Sequence, residues 1–233
     1  MSAFKTLREE AYEANMDLYR HSLAIYTWGN ASALDSGKGV LAIKPSGVDY
    51  EKLSPGMMVI VDLEGNTVDG DLNPSSDTKT HLVLYREFSC IRGVTHTHSP
   101  YAVAWAQSRK PVPVFGTTHA DHCAMEIPCT EYMSSQAVKK DYELETGNLI
   151  ADTFKIGNLD PAVINMVLVA GHGPFTWGRS AAQSVYHGVI LEEICKMALF
   201  TVSIDPRAAP LPEYITKKHW ERKHGPDAYY GQK

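Results

Sequence analysis

Two histidines one residue apart, His96 and His98 in the stretch GVTHTHS, carry the clearest chemical signal in this sequence. GVTHTH reads as a strand, and residues i and i+2 of a strand project to one face, so both imidazoles enter the same space while Thr97 points away. A third histidine, His172, lies in AGHGP at the end of another apolar strand, where Gly171 and Gly173 permit the close approach of a ligand loop. Three nitrogen ligands plus one open or carboxylate position describe a catalytic zinc site. A closed structural site would recruit cysteines, and Cys90, Cys123, Cys129 and Cys195 stand at no ligand-like spacing. The alternative is a surface H-x-H pair and an unrelated loop histidine.

Asp77 supplies a candidate carboxylate. It follows Ser75-Ser76 and precedes the helical stretch THLVLYREF, where it would equally serve as a helix N-cap, and both roles can share the segment. Serines beside the free N–H groups of a helix N-terminus form an anion site. Lys44-Pro45-Ser46-Gly47, at a strand end, adds donors and a cation. Such pairs are common in plain turns; together they point to a phosphate pocket beside a metal.

These groups need a scaffold. Apolar residues at Leu7, Ala11, Ala14 and Leu18 predict a first helix over residues 4–21, followed by a loop, TWGNAS, and a strand over 40–43. MMVIVDL-EGN-TVDG reads as a hairpin with Gly65 in its turn. DTKTHLVLYREF is helical, and Pro100 opens a helix through Trp105. The segment VPVFGTTHADHCAMEIPC shows no helical period, residues 134–156 are mostly helical, and MVLVAGHGPFTWG is an apolar strand running into a Gly-rich turn. Ser180 caps a long helix to about residue 202, and a short helix covers 213–223. Strands and helices mix without βαβ alternation, so the fold class is α/β with a largely antiparallel or mixed sheet between helices, as one domain over 1–233. Trp28, Trp105 and Trp177 read as core or loop anchors. His21, His81, His119, His122, His187 and His224 read as surface, packing or supporting groups, with His119 in a position to orient Asp121.

Composition excludes several classes. Lys plus Arg is 22 against 27 Asp plus Glu, a net charge of -5 with no basic stretch, which argues against a generic nucleic-acid partner. The longest apolar run, over 185–204, is broken by Glu192, Glu193 and Lys196, so it does not cross a bilayer. The charged, amphipathic N-terminus is unlike a signal peptide. With four scattered cysteines, this reads as a cytoplasmic enzyme of a reducing compartment.

TWGNAS, KPSGVDY, PSSDT, HTHS, GTTHAD, IPCT, ETGN, GHGPF-W and KHGPDAYYGQ, in that order, resemble the class II, zinc-dependent sugar-phosphate aldolase family over about residues 7–232. The resemblance implies a central, largely antiparallel sheet sandwiched between helical layers, assembled as a homotetramer with active sites at subunit interfaces. It implies one Zn2+ per subunit, replaceable by Mn2+ or Co2+, on Asp77, His96, His98 and His172. Asn30, Lys44, Ser46, Gly47, Ser75 and Ser76 would hold the substrate's phosphate, with Thr117, His219 and Arg222 also at the substrate. Asp121 and Tyr230 would be an acid/base pair reaching a neighbouring subunit's site. After Asp121 this chain has His122 and Cys123, where the family has aromatic residues.

The implied activity is epimerisation of L-ribulose 5-phosphate to D-xylulose 5-phosphate by retro-aldol/aldol chemistry through a metal-bound enediolate, serving arabinose or ascorbate catabolism. Two rivals stand beside it. A true aldolase would cleave a ketose 1-phosphate and release the halves; in that branch a Glu base stands where this chain has Asp77. A non-catalytic interaction domain of the same fold would lack the metal residues that this chain retains.

Overall fold

The structure is a computed structural model that describes residues 3–226, 228 and 229. One seven-stranded sheet organises it, in the order β4-β3-β2-β1-β5-β7-β6 and antiparallel at every pairing. The strands are β1 (Asn30–Asp35), β2 (Val40–Ile43), β3 (Val59–Asp62), β4 (Thr67–Asp69), β5 (Gly93–His96), β6 (Met166–Val169) and β7 (Gly173–Gly178). Among the described residues seven α-helices accompany them: α1 (Lys5–Arg20), α2 (Thr78–Glu87), α3 (Pro100–Ser108), α4 (Thr117–Ala120), α5 (Ser135–Ile156), α6 (Ala181–Ile204) and α7 (Glu213–His224).

Alternation along the strands builds a core on each face of the sheet. Leu41 and Ile43 of β2, Val59 and Val61 of β3, Val94 of β5, and Phe175 and Trp177 of β7 join Leu82 and Leu84 of α2, Phe88 just after it, and Ile150 and Phe154 of α5. Their neighbours Val40, Ala42 and Ile60 turn to the opposite face, where they meet Leu7, Ala11, Ala14 and Leu18 of α1 and Ala181 and Val185 of α6. On that face Ser184 of α6 bonds to both β5 and β7: its hydroxyl meets Thr95 Oγ1 at 2.8 Å, and its carbonyl accepts from Thr176 Oγ1 at 2.7 Å. A third cluster joins α3, β6 and α6, where the Trp105 indole donates to the Cys195 carbonyl at 2.9 Å. No helix among the described residues is long and apolar enough to cross a membrane.

Most predicted elements are present, including the Gly65 hairpin turn and the Ser180 cap, whose hydroxyl accepts from Gln183 N–H at 3.1 Å. Three expectations are corrected. TWGNAS does not end as a loop: Asn30 begins β1, a central strand. The stretch after Trp105 contains α4, a single helical turn. The apolar run before Trp177 is not one strand but a hairpin, β6 and β7, with His172 in its turn.

Candidate metal centre and active site

One end of the sheet gathers the predicted metal residues. Asn30, at the start of β1, lies opposite His96, at the end of β5, and His96 lies opposite Phe175 of β7. Phe175 stacks on the His96 ring at 4.2 Å between centroids, with 16° between planes. His98 stands two residues beyond β5, and its Nε2 lies 3.1 Å from Nε2 of His96. His172 enters from the β6–β7 turn. Gly171 holds this turn open with φ +71, and the Tyr132 ring occupies the space a side chain there would need. One ring nitrogen from each of His96, His98 and His172 falls within 4.8 Å of the others.

The donor set fits a divalent cation. His96 Nδ1 lies 2.9 Å from the Pro174 carbonyl, which only accepts, so Nδ1 carries the proton and Nε2 presents its lone pair to the group. Burial, and then the neighbouring His96 and His98, push His172 down to about 4 against the pull of Asp77; burial likewise lowers His98. Both rings are therefore neutral near pH 7, as metal ligation requires.

Asp77 occupies the N-cap position of α2, but its side chain makes no capping hydrogen bond. Its Oδ2 accepts from Asn30 Nδ2 at 2.6 Å instead, beside the imidazoles. Burial alone would raise the carboxyl's pKa; the nearby imidazoles of His96 and His81 and the Asn30 amide outweigh it and hold it below the usual range. The closely grouped nitrogens are those of the three histidines, with Asp77 alongside and bound to Asn30.

A cleft of about 410 Å³ opens beside these groups, lined by Asn30, Lys44, Ser46, Gly47, Ser75, Ser76, Asp77, His98 and His172 among others. The two serine loops are fastened together, since Ser75 N–H donates to the Lys44 carbonyl at 3.0 Å and Ser46 N–H to the Asn73 carbonyl at 2.9 Å. Lys44 is buried, its Nζ 4.9 Å over the Tyr50 ring and 3.4 Å from the carbonyls of Thr27 and Pro45. Burial lowers its ammonium to about 8, offset in part by Asp49.

Three cleft residues escaped the sequence reading. Trp28, expected as a core or loop anchor, is half-exposed at the cleft and tilted against His98 at 6.1 Å. Tyr142 and Glu143 reach the cleft because α5 breaks at Asp141, where φ is -169 and ψ 97; Lys79 of α2 pairs with that carboxylate at 2.6 Å. The Tyr142 hydroxyl lies 3.4 Å from His172 Nδ1. Nothing in the spacing of residues 134–156 marks this break.

The remaining predicted residues form a separate cluster outside the cleft lining. Asp121, at the C-terminus of α4, is 8% exposed and bound by α7. Arg222 Nε donates to Oδ1 at 2.9 Å, and its Nη2 contacts Oδ2. His219 Nδ1 lies 3.0 Å from Oδ1, and Lys223 Nζ 3.8 Å from Oδ2. Burial would raise the Asp121 carboxyl; Arg222, His219 and Lys223 outweigh it and hold it below its ordinary value. Thr117 opens α4 and is exposed. His119 does not orient Asp121: its Nε2 donates to the Met125 carbonyl at 3.0 Å. His122 packs on Tyr186 at 5.8 Å, and Cys123 is buried in the core. Tyr230 lies outside the described residues.

Residues 9–199 match the family of the Class II Aldolase and Adducin N-terminal domain. The chain is 47% identical over 227 residues to the L-ribulose-5-phosphate 4-epimerase UlaF of Salmonella paratyphi C (strain RKS4594), covering 97% of this chain and 99% of that one. The enzyme of the same name from Salmonella choleraesuis (strain SC-B67) matches to the same extent. Among solved structures, an L-fuculose 1-phosphate aldolase superposes with a TM-score of 0.78 at 23% identity, over 95% of this chain and 97% of that one. The match across most of its length, with the antiparallel sheet and histidine trio described above, shows that the chain belongs to the class II aldolase family.

Proposed function

We propose that the chain interconverts L-ribulose 5-phosphate and D-xylulose 5-phosphate, as the names of its Salmonella relatives suggest. The observation that carries this reading is the convergence of three imidazoles beside a cleft lined by His98, His172, Lys44 and two serine loops.

The two sugars differ only at C4, which bears a hydroxyl and no adjacent carbonyl, so its hydrogen is not acidic. Inversion there proceeds by opening the C3–C4 bond. The C4 hydroxyl gives up its proton, the bond pair moves onto the C1–C3 half as an enediolate, and the other half becomes glycolaldehyde phosphate. Rotation of the aldehyde, bond formation at its other face and return of the proton complete the epimerisation. A divalent cation on His96, His98, His172 and Asp77, which we assign as one zinc per subunit with manganese or cobalt able to replace it, supplies Lewis-acid stabilisation of the developing charge.

Asn30, Lys44, Ser46, Gly47, Ser75 and Ser76 hold the phosphate, so the aldehyde half stays in place and recombination remains effectively unimolecular. Two proton carriers serve opposite faces, Asp121 for one and Tyr230 for the other. The depressed carboxyl of Asp121 is ionised at neutral pH and so able to accept a proton. His219, Arg222 and Thr117 stand with Asp121, apart from the chain's own cleft, which supports a homotetramer in which a neighbouring copy completes each site.

Incubation with L-ribulose 5-phosphate is the test. Xylulose 5-phosphate accumulates to an equilibrium mixture if the reading holds; release of free aldehyde, or activity on a ketose 1-phosphate, would replace it with an aldolase. A pH dependence follows as well. Lys44 loses its charge as pH rises through about 8, so KM for the phosphorylated substrate should climb about tenfold between about pH 7.5 and 9.5. Lys44→Arg, whose cation persists, should remove that rise in initial-rate measurements, and a flat wild-type profile would take Lys44 out of the phosphate site.

A further inference from the structure

Beneath the candidate metal centre, two residues of β1 face the N-cap and one residue of α2 in two rungs. Asn30 Nδ2 donates to Asp77 Oδ2 at 2.6 Å, and Ser32 Oγ meets His81 Nδ1 at 2.7 Å. Asn30 and Ser32 are two apart on a strand, and Asp77 and His81 four apart on a helix, so each pair shares a face. Ser32 Oγ also meets the Tyr85 hydroxyl at 2.7 Å, and that hydroxyl lies 3.1 Å from the Ser32 carbonyl, which anchors the second rung in the core. His81 is fully buried, its ring edge-on to the same Phe175 that stacks on His96.

Three buried side-chain polar atoms among the described residues find no hydrogen-bond partner in the chain, and two of them, Asn30 Oδ1 and His81 Nε2, belong to this square. A buried polar atom left unpaired is costly, and a polar recess with several partners is where proteins keep internal water. The two orphans are complementary. The amide oxygen only accepts; a water between them would donate to it and turn its remaining proton or lone pair to Nε2, whichever tautomer the Ser32 bond selects. The Asn30 NH2 donates to the Asp77 carboxylate and to Ser75 Oγ at 3.1 Å, and a donor on Oδ1 would add to the hold on the amide in that sense.

We propose that His81 is the positioning residue for Asp77, acting through one internal water shared by its Nε2 and Asn30 Oδ1 that keeps the Asn30 amide, and with it the carboxylate, turned to the imidazole trio. This rests on the reading of Asp77 as a fourth metal ligand. A ring that merely filled space would be replaceable by phenylalanine; one that holds a water is replaceable by glutamine, whose amide reaches the region of Nε2.

The experiment compares metal-free wild type, His81→Phe and His81→Gln, with Zn2+ affinity measured against a chromophoric chelator and folding checked by thermal unfolding without metal. His81→Phe should fold yet bind Zn2+ about 10- to 100-fold more weakly, and His81→Gln should stay within about threefold of wild type. A crystal structure of the wild type should place a water within hydrogen-bond distance of both orphan atoms. If His81→Phe fails to fold, Ser32→Ala, which unhooks the ring, should weaken Zn2+ about tenfold. Equal affinity in a folded His81→Phe or in Ser32→Ala, a folded His81→Gln as weak as His81→Phe, or no water at that place would overturn the proposal. Because the readout is metal binding, loss of the epimerase assignment would leave it standing, whereas a wild type that binds no Zn2+ would remove the fourth-ligand reading and this inference together.

Discussion

His96→Ala should lower kcat on L-ribulose 5-phosphate by about 10³-fold, a barrier increase of about 4 kcal/mol. The size follows from where the ring sits. It is buried at 1% exposure, stacked on Phe175, and bonded through Nδ1 to the Pro174 carbonyl, so its second nitrogen has one orientation only. It is also central to the trio, with ring centroids 4.8 Å from His98 and 4.7 Å from His172. Removing it takes the buried, oriented ring from the centre of the trio and leaves a gap there, so the two imidazoles and one carboxylate that remain should lose zinc through dialysis. Metal content by atomic emission should fall from one per chain to near zero. Chelator-treated wild type should recover on adding Zn2+, while the variant does not. His21→Ala, in an exposed histidine at the end of α1, is the control and should leave both quantities unchanged. Full turnover by His96→Ala, or by chelated wild type, would dismantle the metal-based mechanism.

The largest effect on stability is expected at Trp177. Its side chain is fully buried between Phe88, at 5.0 Å, and Phe154, at 5.1 Å, and joins β7 to α5 and to the residue that ends α2. The indole N–H donates to the Pro161 carbonyl at 2.8 Å. Trp177→Ala removes the largest side chain of this core, opens a cavity and takes the donor from a carbonyl, and should cost about 3–5 kcal/mol. For a chain of this size that is a Tm lower by about 10 °C or more. Trp177→Phe keeps most of the ring volume and should lose less than half as much. A Tm within two or three degrees of wild type for Trp177→Ala would mean that this core repacks freely, contrary to the tight aromatic contacts.

The sequence marks the meeting of His96, His98 and His172 well because each sits where strand geometry or a glycine turn leaves it little choice of direction. β1 is harder to read. Asn-Ala-Ser-Ala-Leu-Asp contains no β-branched or aromatic residue and scores poorly as a strand. It is one because α1 lies close above it: Ala31 and Ala33 pack among Ala11 and Ala14, and the Asn15 side chain bonds both the N–H and the carbonyl of Ala31, at 2.9 and 2.8 Å. Packing at that distance selects small residues over strand formers. The β6–β7 hairpin hides for the opposite reason, since both strands are buried and their apolar runs merge across a short Gly-rich turn. Tyr142 and Glu143 depend on a helix break with no glycine or proline to announce it. The bonds from α7 to Asp121 join residues about a hundred positions apart, and no local pattern encodes such a meeting.

The pairing of β1 with β5 sets an order of events. Asn30 faces His96 across that seam, whereas the pairings of β1 with β2, β2 with β3, β3 with β4 and β6 with β7 are each between consecutive strands. Consecutive hairpins close short loops, but the seam must draw together segments separated by three strands and a helix, which is entropically slower. A refolding chain therefore acquires its consecutive hairpins before its metal pocket, since the β5–β7 pairing beside His96 also closes a long loop, and capture of a cation by the nascent protein reports that both non-local joins have closed.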